Sequence, residues 1–594
     1  MKLLNKIIAY SFYALFIVVP LILTPYNYEL FEFNKMLTVY FFTIIIASAW
    51  IIKCIHQRKI LLCRTPFDLP LLLFLLSQIL STIFSIDRHT SVWGYYSRFN
   101  GGLLSTISYI TLYYAFVSNA VSVKNSLKVI LSTAAIVSLY AIAQHFGIDK
   151  HVWVQDVQNR VFSTLGQPNW LAAYLVALIP LSGKLMPLFL LTIWFTKSLS
   201  GLGATAIILA LMFIFFIIKQ RFLKIILIVA LLISGGYYLL SSPLAANNQK
   251  TLQLIKQENL TRAGGSSSLL IRRVVWQGAI DIWKRYPLFG SGVETFAYSY
   301  YNFRPASHNL LSEWDFLYNK AHNEFLNFLA TTGAFGLASY LFFIISVLIF
   351  FLKNPSGLML GFISILITNF FGFSVVPVAL FFFMFPAFAL TLSATIVPKS
   401  VKEEKLQLWQ YILIIIILLF TVYGLLFTVN LWKADYQFNL GRNYVKANQL
   451  AAGLTLLQKA VALSPHEPLF RSEYAEGLAK LAYVYETTQS AALKNQLIAE
   501  SLSQSDQVLA ANPVHLNYLK SRIKILLLLA NINPEYLQQA LDTALQAVKL
   551  APTDAKLYYN LGLIYNQLGQ KELAKQTLQT ALELKPNYDF KIPQ

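Results

Sequence analysis

The sequence predicts an all-α protein, a polytopic transmembrane helical bundle followed by a tetratricopeptide-type (TPR) α-solenoid. Three observations carry this. The composition is 56% hydrophobic and 15% aromatic with only 12% charged residues, far from that of a soluble domain. Apolar stretches of ~20 residues, each long enough for a ~30 Å hydrocarbon core, recur to about position 430. Beyond that the chain turns polar and repeats a helical motif.

Taken in order, roughly thirteen segments meet or approach the ~20-residue criterion. They are 7–24, 36–53, 67–85, 103–119, 127–146, 169–183, 185–197, 202–218, 222–240, 330–352, 357–373, 375–396 and 408–430. The first lacks a small-residue cleavage site and reads as a retained span. The segment 185–197 is short and reads as a tilted or re-entrant span, so the count is twelve or thirteen.

The loops "KCIHQRKILLCR" (53–64), "VKNSLK" (123–128), "KQRFLK" (219–224) and "PKSVKEEK" (398–405) are short and basic. With the N-terminus inside, all four fall on the cytoplasmic side of a cytoplasmic membrane. Segments 86–102, 146–168 and 241–321, and everything from about Trp432 onward, then lie outside the cell. Much of the formal charge of +20 is thus topological, and nucleic acid is not an expected partner. Cys54 and Cys63 share one short inner loop, so neither a disulfide framework nor zinc spacing is present.

The long loop 241–321 also carries excess Lys and Arg, including Arg272, Arg273, Lys284 and Arg285. Long loops are exempt from the charge rule. Two readings stay open: ordinary solvated charge, or a site for an anionic ligand.

A 1–430 membrane domain and a 433–594 repeat domain are expected. "DAKLYYNLGLIYNQLGQKELAKQTLQTALELKP" (554–586) has the small residues Gly562, Ala574 and Ala581 that let paired helices approach. "ADYQFNLGRNYVKANQLAAGLTLLQKAVALSP" (434–465) is a second unit, and two degenerate ones end near "AANP" (510–513) and "KLAP" (549–552). One repeat cannot bury its own face, so several stack.

Chemistry concentrates in three outer stretches. "VWGYYSRFNGG" (92–102) sets Arg98 among aromatics, and "NRVFSTLGQPNWLAAYL" (159–175) holds Arg160 before a span opened by Pro168. In "SSSLLIRRVVWQGAIDIWKRYPLFGSGVETF" (266–296), Arg272, Trp276, Ala279, Ile280 and Trp283 fall at helical spacing. This predicts an amphipathic helix at the membrane surface with Trp anchors. For Arg272 and Arg273, headgroup contact and grip on a substrate both remain open. Guanidinium forks suit a diphosphate. His322 opens the next span and titrates near neutrality, as a base for a sugar hydroxyl requires; a satisfied helix-terminal role is the alternative. His308 is a weaker rival. No metal constellation and no Walker loop is legible, so no cofactor is expected and the donor must arrive already activated.

Three pieces in order resemble the O-antigen ligase and O-antigen polymerase superfamily: "GQPNWLAAYL" (166–175), "RRVVWQGAIDIWKRYPLFGSGVETF" (272–296) and "AHNEFLNFLATTGAFGLASYL" (321–341). The resemblance covers roughly residues 1–400. It implies an inverting, metal-independent transfer of glycan from a polyprenyl diphosphate such as undecaprenyl diphosphate to a glycan, lipid or protein acceptor. Carried over, Arg272 binds the diphosphate and His322 acts on the acceptor hydroxyl. Arg98, Arg160, Arg273, Asn169 and Asn323 become substrate contacts. The solenoid departs from the family pattern and suits a protein acceptor, a growing glycan or an assembly partner. Two other classes stay in play: a non-enzymatic membrane scaffold, and a transporter, which the scarcity of charge in the spans disfavours.

Overall fold

The computed structural model describes residues 1–217, 253, 268–393, 406–486 and 491–586. The span expected at 222–240 and the basic loops 219–224 and 398–405 lie outside these residues. Among the described residues all regular structure is helical.

The membrane part contains α1 (Lys2–Leu21), α2 (Glu32–Gln57), α3 (Asp68–Ile83), the short α4 (Arg88–Trp93), α5 (Leu103–Ser118) and α6 (Val123–His145). Then come α7 (Pro168–Leu178), α8 (Met186–Thr196), α9 (Leu199–Met212), α10 (Ser268–Arg285) and α11 (Phe296–Phe303). It closes with α12 (Glu324–Lys353), α13 (Gly357–Phe370), α14 (Val376–Ser393) and α15 (Leu408–Lys446). Among the described residues six helices, α1, α2, α6, α12, α14 and α15, are long and apolar enough to cross a membrane. Six further expected spans are apolar helices of 10–17 residues. Helix α14 is the core of the bundle, with Phe381, Phe382, Phe385 and Phe388 all under 5% exposed. An exposed apolar face marks α15 as lipid-facing: Ile415, Leu419, Phe420 and Tyr423 are each more than half exposed.

The boundary expected between 430 and 433 falls inside a single helix. Helix α15 runs unbroken from Leu408 to Lys446, so the last span and the first solenoid helix are one rod. Its partner is α16 (Leu450–Leu463), and the remaining pairs are α17 (Pro468–Glu486) with α18 (Ala491–Ala511), α19 (Leu516–Ala530) with α20 (Glu535–Leu550), and α21 (Ala555–Gln567) with α22 (Lys571–Leu584). The four pairs are the four units read from the repeats. Small residues set the pairing: a Cβ on Gly441 would lie 2.9 Å from the Gly453 carbonyl oxygen.

The solenoid docks on one end of the bundle through Asp435 inside α15 and through the turn before each later repeat. Asp435 accepts from Asn27 Nδ2 and the Tyr28 amide, both at 2.9 Å. Glu467 lies 3.2 Å from His89 Nε2, and Asn512 Nδ2 donates to Asp87 at 2.6 Å. The Thr553 carbonyl accepts from Arg304 at 2.7 Å and Asn309 at 2.8 Å.

The stretch "YPLFGSG" is a docking turn. The amides of Ala334 and Phe335 donate to the carbonyls of Pro287 and Leu288 (2.8 and 3.2 Å), while those of Ser291 and Gly292 donate to Ala330 and Thr331 (3.1 and 2.9 Å). Helix α12 is kinked at Gly333 (φ 68°) to present these groups. Backbone meets backbone here: a Cβ on Gly290 (φ 72°) would fall 2.2 Å from the Thr331 carbonyl carbon, and one on Gly333 2.3 Å from the Leu288 carbonyl oxygen. Only glycine fits at either position.

Candidate functional site

A cavity of about 220 Å³ opens at the solenoid end of the bundle. Its walls come from the start of α7 (Asn169, Trp170), the start of α10 (Ile271, Arg272), the loop before α12 (Glu313, Tyr318, His322) and the break between α13 and α14 (Gly372, Phe373).

Each part follows from local sequence. Pro168 starts α7, where a missing amide donor costs nothing. Asn323 caps α12, its side chain accepting from the Leu326 amide at 3.0 Å. The Ala321 amide is held by Asn327 Oδ1 at 3.3 Å. Between these anchors His322 adopts φ 53°, a left-handed conformation that L side chains seldom take and that concentrates at functional sites. Its ring centroid lies 5.7 Å from that of Tyr318 and 5.5 Å from that of Phe373.

Arg98 reaches the same place from the loop before α5. Its guanidinium carbon sits 4.5 Å from the Phe373 ring centroid and 5.2 Å from that of Trp170. Two such contacts supply about 1–2 kcal/mol each, less than the several kcal/mol needed to take an ion out of water. The carboxylates of Glu32, Glu29 and Glu294 add Coulombic support. Even so, Arg98 Nη1 is buried with no hydrogen-bond partner among the described residues. A guanidinium with an unspent donor is the chemistry of an anion site.

Burial holds the Arg272 guanidinium below the usual arginine range, against the fields of Glu313 and Tyr318; it stays cationic at any physiological pH. Tyr318 Oη donates to Glu313. Burial first, then the positive charges of Arg272 and Arg98, push His322 down to about 4. Its imidazole is therefore neutral at pH 7 and able to accept a proton.

The structure thus gathers Arg272, His322 and Asn169 at one cavity, with Arg98 against its aromatic wall. Arg160 and Arg273 are not among its lining residues. Arg160 is exposed and donates from Nε to the Thr196 carbonyl at 3.2 Å, closing the end of α8. Arg273 is 7% exposed, on the face of α10 that packs into the protein. The Asn323 side chain serves its helix cap, and the Asn169 side chain accepts from Ser198 Oγ at 2.7 Å. His308 is fully buried, with Nδ1 2.9 Å from Tyr300 Oη; it is a packed core histidine. Helix α10 forms as expected, yet its tryptophans do not anchor a free amphipathic helix. Leu270, Ile271, Val274 and Val275 pack inward, Trp276 meets Phe370 at 5.8 Å, and Trp283 donates to the Pro287 carbonyl at 3.2 Å.

Sequence reasoning missed Glu313, Tyr318 and Phe373. The Gly372-to-Pro377 interruption of an apolar run was the available signal for Phe373; the other two sit in a loop without periodicity.

Residues 185–341 match a family model described as O-antigen ligase, and residues 555–588 one described as a tetratricopeptide repeat. The first match includes the docking turn, α10 and the His322 loop. No curated protein matches the chain at a significant level. Solved structures match about a quarter of the chain. MamA MSR-1 is 23% identical, covers 26% of this chain and 77% of its own, and has a TM-score of 0.20. YrrB, described as a TPR protein with an unusual peptide-binding site, is 20% identical, covers 26% and 88%, and has a TM-score of 0.14.

Proposed function

We propose that this chain, an O-antigen ligase domain carrying a repeat solenoid, transfers a glycan from a polyprenyl diphosphate to an acceptor at the outer face of the cytoplasmic membrane. The observation that carries the reading is the convergence of Arg272 and a neutral, strained His322 on one cavity, with Arg98 stacked on its aromatic wall.

In this reading Arg272 and Arg98 hold the diphosphate. His322 takes the proton from an acceptor hydroxyl as that oxygen attacks the anomeric carbon. The new carbon–oxygen bond forms as the bond to phosphate breaks, and its electron pair leaves on the diphosphate, where the guanidinium charges receive it. Attack from the face opposite the leaving group inverts the anomeric centre. Arrival of the diphosphate also offsets the arginine charges that depress His322, so substrate binding raises the basicity of the group that must act. The test is transfer of a lipid-linked glycan by the purified chain. Arg272→Ala and His322→Ala are each expected to lower the rate by roughly 10²-fold or more; full activity in the double variant removes the assignment.

A protein acceptor is the second reading, supported by the solenoid's docking beside the cavity. It is tested by whether a secreted protein carries the glycan in wild-type cells and loses it in a deletion strain. Activity lost only on removing the solenoid, with both cavity variants unaffected, would instead favour a scaffold.

A further inference from the structure

A second and larger cavity, about 380 Å³, lies where the solenoid meets the bundle. We infer that this cleft is a binding site for an uncharged saccharide chain. Nothing above uses it for chemistry. Its bundle wall carries Tyr28, Tyr95, Tyr96 and Tyr298, and its solenoid wall adds Tyr518. Rings in that number offer apolar faces for the C–H surfaces of sugars.

The polar lining decides which ligand fits. Asp87, Glu467, Glu473 and Glu476 all face the cleft, an acidic wall in a chain whose formal charge is +20. Four carboxylates against one lining arginine, Arg442, disfavour a diphosphate or acidic glycan. A cationic ligand gains little, because three of the four carboxylates already have cations. His89 pairs with Glu467 at 3.2 Å, Arg442 with Glu473 at 2.9 Å and Lys524 with Glu476 at 2.5 Å. Paired carboxylates still hold unused lone pairs. Asn512, 3% exposed, donates to Asp87 but leaves its Oδ1 buried without a partner among the described residues. A wall rich in spare acceptors requires a ligand rich in neutral donors, which describes hydroxyls. An extended peptide brings as many carbonyls as amides and suits it less well.

Chain neighbours connect the surroundings of the two cavities. Ser97 lines the cleft while the next residue, Arg98, stacks on the aromatic wall of the first cavity; Asn319 lines the cleft while Tyr318 lines that cavity.

The test is capture on a printed array of neutral and acidic oligosaccharides and of peptides, using the full chain in nanodiscs. It reads binding alone and does not depend on which reaction the first cavity performs. Neutral glycans are expected to be retained over acidic ones. Tyr95→Ala removes a half-buried ring, and Asn517→Trp narrows the cleft from an exposed position. Each is expected to weaken retention about tenfold with the melting temperature unchanged. Retention of acidic glycans or peptides instead, no retention at all, or retention indifferent to both variants overturns the inference.

Discussion

Arg98 and His322 rest on the same ring. The guanidinium carbon of Arg98 lies 4.5 Å from the Phe373 centroid and the imidazole centroid of His322 5.5 Å from it. One residue comes from the loop before α5 and the other from the cap of α12, and a short break in the bundle core fixes both.

That relationship sets a pH profile. With His322 held near 4, the kcat/KM of the free enzyme is expected to fall only as pH drops toward 4. Replacing Arg98 with Met removes a positive charge that disfavours the imidazolium, so the pKa of His322 rises and the acidic limb moves to higher pH. Proton NMR titration of the histidine, or the rate profile itself, reads the shift; a limb that stays put or moves lower contradicts the arrangement.

Stability has its own acid dependence. Burial pushes both His308 and His515 from 6.5 down to about 3. Between those values the unfolded chain takes up protons that the folded chain refuses, so stability is complete above 6.5 and falls as pH drops toward 3. At pH 5 each costs on the order of 2 kcal/mol. Thermal melting between pH 7 and pH 4 should show the decline, and His308→Gln should flatten part of it.

Gly333→Ala is expected to be severe. Alanine at φ 68°, ψ −170° costs about 1–3 kcal/mol, and its Cβ would collide with the Leu288 carbonyl. The docking turn then separates from α12, and His322 loses its frame. Reduced melting temperature and reduced transfer together are the expected readout; Gly203→Ala, which meets nothing within 4 Å, is the matched control.

Arg304 fastens the last repeats. It donates to the Trp314 carbonyl at 3.0 Å, Asn309 at 2.8 Å and the Thr553 carbonyl at 2.7 Å. Arg304→Ala strands these acceptors and is expected to cost about 2–4 kcal/mol of docking. Faster limited proteolysis within 551–586, with helix content retained, would show it.

Much of this protein was legible in its residues. Apolar runs gave the membrane helices because hydrocarbon forces every backbone group to pair within its own helix. Small-residue spacing gave the four solenoid pairs, and the order of three short motifs pointed to Arg272 and His322. Local periodicity fails where the chain has none. Glu313 and Tyr318 sit in an irregular loop, and Arg98 is separated from Phe373 by most of the bundle, so only packing brings them together. Arg160 and Arg273 have the same side chain as Arg272, and burial, helix phase and neighbouring carbonyls divert them to other work. Residue type fixes which chemistry is possible; the tertiary fold decides which of several equal candidates shares a cavity, because long-range contacts have no spacing rule in sequence.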